Sequence, residues 1–446
     1  MERIALIGDN SSEYIEKLLD IWNCGNCAVL IDWRIPHKQA LKMMEEANVH
    51  KCFIEKTIML GIEEFSPKIE YESFEASQYS VKILDDIVCN AFKENYSLTE
   101  AVILYSSGTT GQSKGIILSH FAINTNADMI LGYMNLTQSD IIYIVKTLAH
   151  SSTLVGELIV GLKSKIKIVI SPTISNPRIN LSNLNKYCVT TLCVNPTLLK
   201  LYSDMAQQFN VYTRHLKSIY TSGSIADISL ITKAKEIFSS AEIYNVYGLS
   251  EAGPRVSAQK KSNAVNAVGS VGTPLKNVEI VIVSKEGKKL GACENGIIHI
   301  KTPSLFLNYV STVKPRESLY KSWFNTGDIG YFDENGNLFI VGRVDNMLTV
   351  GSHNIYPEDI ENTINSSTDA KNCIIIAQAN DLSGSKLYCC YEAEYNMEKE
   401  LRKFCIENFA TYEIPARFIR VQKIHINNNG KKIRDIKLYN EVFSQG

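Results

Sequence analysis

Between residues 105 and 115 the chain reads Tyr-Ser-Ser-Gly-Thr-Thr-Gly-Gln-Ser-Lys-Gly. Of the ten residues 106–115, three are Gly, three Ser and two Thr. Glycines let backbone N–H groups come close to a ligand, and hydroxyls add donors without bulk. Lys114 adds a positive charge. A loop of this composition suits a polyphosphate. It is not a Walker A loop, which needs Gly directly before the Lys and Ser or Thr after it, whereas here those places hold Ser113 and Gly115.

Other stretches carry chemistry of their own. In Asn245-Val246-Tyr247-Gly248-Leu249-Ser250-Glu251, Tyr247 can present an aromatic face and Gly248 permits close backbone approach. Ser250 offers a hydroxyl, and Glu251 a hard oxygen ligand for Mg²⁺. Asp328, after Asn-Thr-Gly, is a bidentate acceptor suited to two vicinal hydroxyls of a ribose. Arg343, in Gly342-Arg343-Val344-Asp345, can donate a planar fork to ribose or phosphate oxygens. Asn427-Asn-Asn-Gly430-Lys431-Lys432-Ile433-Arg434 reads as an exposed turn with a basic tip.

The elements around these stretches alternate. The apolar runs 101–104 and 116–118 flank the first loop as buried strands. Residues 3–7 read as a strand, then a turn, then a helix capped by Ser11 or Ser12 with Ile15, Leu18, Leu19 and Trp22 on one face. Strand 27–31, helix 37–47 and strand 52–54 continue a βαβ rhythm that predicts a mostly parallel sheet under helices. Residues 56–99 read as a peripheral excursion. A helix over roughly 119–134 follows, then alternation over 141–247, with a helical stretch at 153–162, a strand at 187–194 and a helix from Pro196 to Ala206. Residues 269–343 are β-rich, with Asp333-Glu-Asn335-Gly336 as a hairpin turn. Pro357 opens a helix in the last hundred or so residues.

At 446 residues the chain needs two or more domains. A net charge of −1 without a long basic block argues against nucleic acid, and no apolar run approaches a membrane span. The N-terminus lacks signal-peptide form, and eleven scattered cysteines point to a reducing, cytoplasmic setting. Cys24 and Cys27 form a lone C-x-x-C with no second ligand pair, so Cys27 is expected to be buried and structural.

These motifs, in this order over nearly the whole chain, resemble those of the adenylate-forming superfamily: acyl-CoA synthetases, peptide-synthetase adenylation domains and firefly luciferase. The family usually has Pro where this chain has Ser113, Thr where it has Ser250, and Gly-Glu where it has Gly296-Ile297. The resemblance implies an α/β fold. A large N-terminal domain of layered α/β subdomains plus a small β-rich subdomain would span 1–344, and a small mobile α+β C-terminal domain 345–446, hinged at Asp345. It implies ATP binding by Ser106, Ser107, Gly108, Thr109, Thr110, Gly111 and Lys114, by Ser222, Gly223 and Ser224, and by Asn245, Val246, Tyr247, Gly248 and Ser250. Asp328, Ile340, Arg343 and Lys431 complete that set, with Mg²⁺ on Glu251 and Thr109. Lys431 falls where the family has the lysine that enters the site for adenylation, with Lys432 one residue away, and His150 falls where acid ligases gate the acid pocket.

The implied reaction joins a small-molecule carboxylic acid, acyl or aryl, to AMP with release of pyrophosphate, then passes it to a thiol. The loop at 351–357 resembles that of acid–CoA ligases, so coenzyme A is the expected acceptor. The alternative is loading onto a carrier-protein phosphopantetheine supplied in trans, and a third reading is a non-catalytic nucleotide-binding relative. The acid pocket is expected to draw on 150–156, 193–200, 221–225 and 245–249, with no obvious cation partner. No acidic residue stands at 149–152, which disfavours an α-amino acid.

Overall fold

The computed structural model describes the chain except residues 63–64, 77–81, 85–95, 107–113, 174–175, 227, 261–266, 311–322, 351–352, 381–383, 428–431 and 440–446. Four sheets organise it. The first has seven strands in the order Asn308–Tyr309, Lys114–Ser119, Glu100–Ser106, Cys27–Asp32, Arg3–Gly8, Lys51–Glu55, Glu70–Phe74. Its middle is parallel, with Arg3–Gly8 paired to both Cys27–Asp32 and Lys51–Glu55. Cys27–Asp32 is buried along its whole length, as a strand covered on both faces must be. The 100–106 and 114–119 strands form an antiparallel hairpin in which Ser106 faces Lys114, so the polar loop sits at a hairpin tip fixed by an apolar base.

The second sheet runs Thr273–Pro274, Ser257–Ala258, Glu242–Tyr247, Ser218–Thr221, Thr191–Val194, Ile141–Ile144, Lys167–Ile170, Lys82–Leu84. Helix His120–Met134 contributes to the largest core cluster, which takes residues from both these sheets. Ser119 caps the helix by accepting the Ala122 N–H at 3.0 Å, and Asn135 ends it in the left-handed region at φ 49°. Buried residues occur around most of its circumference, which is why the sequence there shows no polar face.

A four-stranded antiparallel sheet, Glu279–Val283, Gly296–Lys301, Phe324–Phe332, Leu338–Arg343, supplies the β-rich part. Ile297 pairs with Ile329 and Val283 there, beside a register shift between Ile297 and His299. The last sheet orders His353–Ile355, Leu348–Val350, Gly384–Glu392 and Asn372–Asn380, with Arg417–Arg420 parallel to 384–392. Helices Pro357–Ser367 and Glu398–Asn408 contribute residues to its core. The fold is thus a large α/β N-terminal part followed by a small α+β C-terminal one.

Several expectations need correction. Residues 56–99 are not merely peripheral: Glu70–Phe74 is an edge strand of the first sheet, and Lys82–Leu84 an edge strand of the second. The 70–74 strand reads as polar because it is an edge, with Glu70 and Glu72 pairing across to Lys51 at 3.3 and 2.8 Å. The strand at 187–194 is Thr191–Val194 alone; Cys188, at φ 52°, lies in the turn that follows helix Pro177–Lys186. The stretch 153–162 is helical but irregular, with a π-helical segment at Leu154–Ile159 between α-helical turns. The presumed loop before Pro357 is a short hairpin of Leu348–Val350 and His353–Ile355. Cys27 is buried and Cys24 exposed, and the described cysteines are free thiols.

His120, the first residue of its helix, is buried 6.2 Å from Trp22. Burial pushes it down to about 4. The folded value lies below the unfolded one, so the unfolded chain binds more protons, and stability is complete above about pH 6.5 and falls as the pH drops toward 4. Urea midpoints at pH 7.5 and 5.0 should show this loss, and His120→Gln should flatten it.

Candidate functional site

Of the described residues singled out by chemistry, Lys114, Tyr247, Glu251, Asp328 and Arg343 fall in two neighbouring side-chain runs. Ser107, Gly108, Thr109, Thr110 and Gly111 lie outside the described residues, as does Lys431. Ser106 and Lys114 hold the two ends of the loop. The Lys114 ammonium stands 5.7 Å from the centre of the Tyr309 ring. The Tyr309 hydroxyl in turn donates to Glu251 Oε1 at 3.0 Å. Lys114, Tyr309 and Glu251 therefore form one contiguous run from the loop's end to the carboxylate. Tyr309 was not legible beforehand. It sits on a strand of two residues whose place beside Ile116 is set by pairing across some 200 residues.

The second run centres on Asp328, which is 8% exposed. Its Oδ2 accepts the Tyr247 hydroxyl at 2.5 Å, and its Oδ1 accepts Arg343 Nη1 at 2.7 Å. These two bonds fix the orientation of the carboxylate. Burial and then the Asp328 charge raise the Tyr247 phenol well above its ordinary range, so it stays a donor. Arg343 is held charged: burial works against it, but Asp328, Asp345, Tyr247 and Glu251 outweigh that. Ile340 lies half-buried on the same strand as Arg343.

Gly248 is a point of close backbone approach, as its residue type suggests. A Cβ there would lie 1.6 Å from the Pro254 carbonyl oxygen, so the backbone approached is the chain's own. Asn245 and Val246 end the strand on which Tyr247 sits, and the Asn245 N–H donates to Gln259 Oε1 at 2.8 Å. Ser250 Oγ meets Ser151 Oγ at 2.9 Å, which joins this motif to the segment at 149–152. Ser222, Gly223 and Ser224 follow strand Ser218–Thr221, with Gly223 at φ +98° in the turn.

His150 stands with its Nε2 3.6 Å from Asp32 Oδ2. No acidic residue stands at 149–152 itself, and Asp32 comes to His150 from the end of another strand. Asp32 is already engaged by Arg34, at 2.9 and 2.5 Å. Burial opposes its ionisation, but Arg34 and His150 hold it well below the ordinary carboxylate range. Two cations from outside the segments expected to form the acid pocket lie beside the 154–159 stretch. Lys146 Nζ lies 2.9 Å from the fully buried Glu157, and the Arg255 guanidinium rests against Gly156.

In the C-terminal part, Glu361 accepts Lys432 Nζ at 3.0 Å, the Ile375 N–H at 2.7 Å and Arg434 Nη1. Burial opposes ionisation of Glu361, yet Arg434 and Lys432 hold it below its ordinary value. Arg434 also reaches Glu358 at 3.1 Å, and Asn346 Nδ2 donates to Glu358 at 2.6 Å. Lys432 is thus committed to the domain interior, while this network runs back to the 344–346 turn that holds Asp345.

Among the described residues no group of three or more His, Cys, Asp or Glu gathers as a metal site. Mg²⁺, however, typically uses one or two carboxylates alongside substrate phosphates. Glu251, a hard donor at the loop's end, fits that ion.

Two substitutions test this geometry. Gly248→Ala should cost about 1–3 kcal/mol or more through backbone overlap, read as a drop in melting temperature. Glu361→Ala should cost about 3–5 kcal/mol by stranding two buried cations, read as faster hydrogen exchange in strands 372–380 and 384–392.

The AMP-binding enzyme family matches residues 1–310. A 2-succinylbenzoate–CoA ligase of Bacillus cereus (strain Q1) is 26% identical over 97% of this chain and 87% of its own. A fatty acid–[acyl-carrier-protein] ligase, ScoC, of Streptomyces coeruleorubidus is 23% identical over 97% of this chain and 85% of its own. The o-succinylbenzoate coenzyme A synthetase of Bacillus subtilis, solved with ATP and magnesium, superposes with a TM-score of 0.80 at 20% identity, covering 97% of this chain and 88% of that one. A family match across more than half the chain joins the ordered motifs and the two side-chain runs, and this protein belongs to the AMP-binding enzyme family.

Proposed function

We propose that this protein activates a carboxylic acid with ATP, forming an acyl-adenylate and pyrophosphate, and then transfers the acyl group to a thiol, coenzyme A. The observation that carries the reading is the pair of side-chain runs, Lys114–Tyr309–Glu251 and Tyr247–Asp328–Arg343. They bring phosphate-, Mg²⁺- and ribose-type groups to one crevice.

Both reactants of the first half are anions, so the protein's task is positioning and charge neutralisation. Asp328 would hold the ribose hydroxyls, with Tyr247 and Arg343 fixing its carboxylate. The loop at 106–115, Lys114 included, would neutralise the outer phosphates. Mg²⁺, held by Glu251 and Thr109, would offset charge on the departing pyrophosphate. Ser222–Ser224, Asn245, Val246, Gly248, Ser250 and Ile340 would shape the base and ribose pocket, and His150 the mouth of the acid pocket. No general base is needed, because a carboxylic acid is ionised near neutral pH.

Lys431 is our choice for the cation that meets the carboxylate and the α-phosphate. Lys432 is spent on Glu361 and on the Cys373 carbonyl at 2.5 Å, which supports the neighbour. We place the domain boundary at 344/345, with residues 345–446 turning about Asp345 between the two half-reactions. Free thiols suit a cytoplasmic setting. Among the described residues no helix is long and apolar enough to cross a membrane. The relative that loads an acyl carrier protein favours one second reading, transfer to a carrier-protein phosphopantetheine.

The test is acid-dependent ATP–pyrophosphate exchange over short, fatty and aryl acids, followed by coenzyme A or a holo carrier protein as acceptor. Exchange with at least one acid, and thioester on coenzyme A, is the expected result. Absence of exchange with every acid would end the reading, and thioester on the carrier alone would select the second. Lys431→Ala should lower adenylate formation by about 10²–10³-fold while thioester formation from supplied acyl-adenylate survives. Lys432→Ala should instead lower stability, with both half-reactions falling together.

A further inference from the structure

Residues 304–310 run as a strap between the end of the phosphate-type loop and the turn that carries Glu251. At its start Ser304 Oγ donates to the Ala252 carbonyl at 2.8 Å. The Phe306 N–H then donates to the Glu251 carbonyl at 2.8 Å. At its far end the Val310 N–H donates to the Gly115 carbonyl at 2.8 Å, and Tyr309 stands opposite Ile116 in the ladder. Gly115 permits this closeness, since a Cβ there would lie 2.7 Å from Val310 Cγ2. The backbone around Tyr309 is therefore fixed to both neighbours, independently of its side chain.

The Tyr309 side chain adds something that packing does not require. Its ring lies against the buried Phe306, with centroids 4.7 Å apart, and a phenylalanine would fill the same space. The hydroxyl instead donates to Glu251 Oε1 at 3.0 Å, while the ring centre lies 5.7 Å from the Lys114 ammonium. Among the described residues Glu251 Oε2 has no hydrogen-bond partner. A glutamate side chain has several rotatable bonds, and fixing them costs entropy. A phenol on one oxygen removes that freedom in advance and leaves the other oxygen for a cation. Mg²⁺ demands near-ideal octahedral geometry, so it gains from a carboxylate that is already oriented.

Building on the acid-activation reading above, we infer that Tyr309 is a positioning residue for the metal: its hydroxyl holds the Glu251 carboxylate in the orientation that accepts Mg²⁺, and its strap fixes that carboxylate relative to the phosphate loop. Tyr309 acts through Glu251, outside the bond-making step. The energetic link between metal and triphosphate binding passes through this one hydroxyl.

The full-length protein tests this with a non-hydrolysable ATP in which a methylene bridges the α- and β-phosphorus. Its dissociation constant is measured by calorimetry in EDTA and in saturating Mg²⁺, and the ratio of the two is the gain from metal. Tyr309→Phe, which keeps the ring and loses the hydroxyl, should cut that gain about tenfold and leave the EDTA value unchanged. In ATP–pyrophosphate exchange the same variant should need about tenfold more Mg²⁺ for half-maximal rate, with the rate recovered at high Mg²⁺. An unchanged gain in the variant overturns the inference and leaves acid activation standing. So do affinities that fall equally in EDTA and in Mg²⁺, as a purely structural role would give, and a wild-type protein whose nucleotide affinity is indifferent to Mg²⁺. Absence of nucleotide binding under both conditions overturns the activation reading itself, and this inference with it.

Discussion

The carboxylate of Asp328 is the point on which the site depends. It sits nearly out of water with a phenol on one oxygen and a guanidinium on the other. Tyr247 belongs to the eight-stranded sheet, and Asp328 and Arg343 to the four-stranded one. The interaction therefore sets the distance between two sheets as well as the orientation of an acceptor. A buried carboxylate is tolerated only when it is paired and hydrogen-bonded. Removing Arg343 would take away the carboxylate's counter-ion, and removing the Tyr247 hydroxyl one of its donors. Arg343 also lies 3.6 Å from Asp345, so the same residue connects Asp328 to the turn beyond it.

A second network of similar kind organises the C-terminal part. Glu361 collects Lys432, Arg434 and a backbone N–H, and Glu358 extends the chain to Asn346. Gly342 is part of the arrangement, because a Cβ there would lie 2.8 Å from Glu358 Oε2. Two buried charge networks thus meet near residues 342–346, one from each part of the protein.

The Lys146–Glu157–Arg255 group differs from these two. The others are close to neutral by pairing, whereas this one sets two cations about one fully buried carboxylate. Its placement relies on an irregular element. Gly156 and Glu157 both lie in the π-helical segment, and π turns recur where a site needs groups that a regular helix would space differently.

Sequence alone went far in this chain. Glycine and hydroxyl density marked the phosphate-type loop. Apolar runs marked the strands that hold it, and the order of short motifs gave the family. These are local facts, carried by residue type and by spacing within about ten positions. What the sequence could not show is what required distant segments to meet. Tyr309 reaches Glu251, Asp32 reaches His150, and Arg255 reaches Gly156 only through sheet pairing and helix packing. Gly248 was legible as a close approach, but its partner, Pro254, emerged only from the chain's return past it. The choice between Lys431 and Lys432 likewise turned on Glu361, some seventy residues earlier. Periodicity and motif report the free energy of local contacts. The charge balance of a pocket depends on which buried ions the fold brings within a few ångströms, and that is fixed only when the whole core has closed.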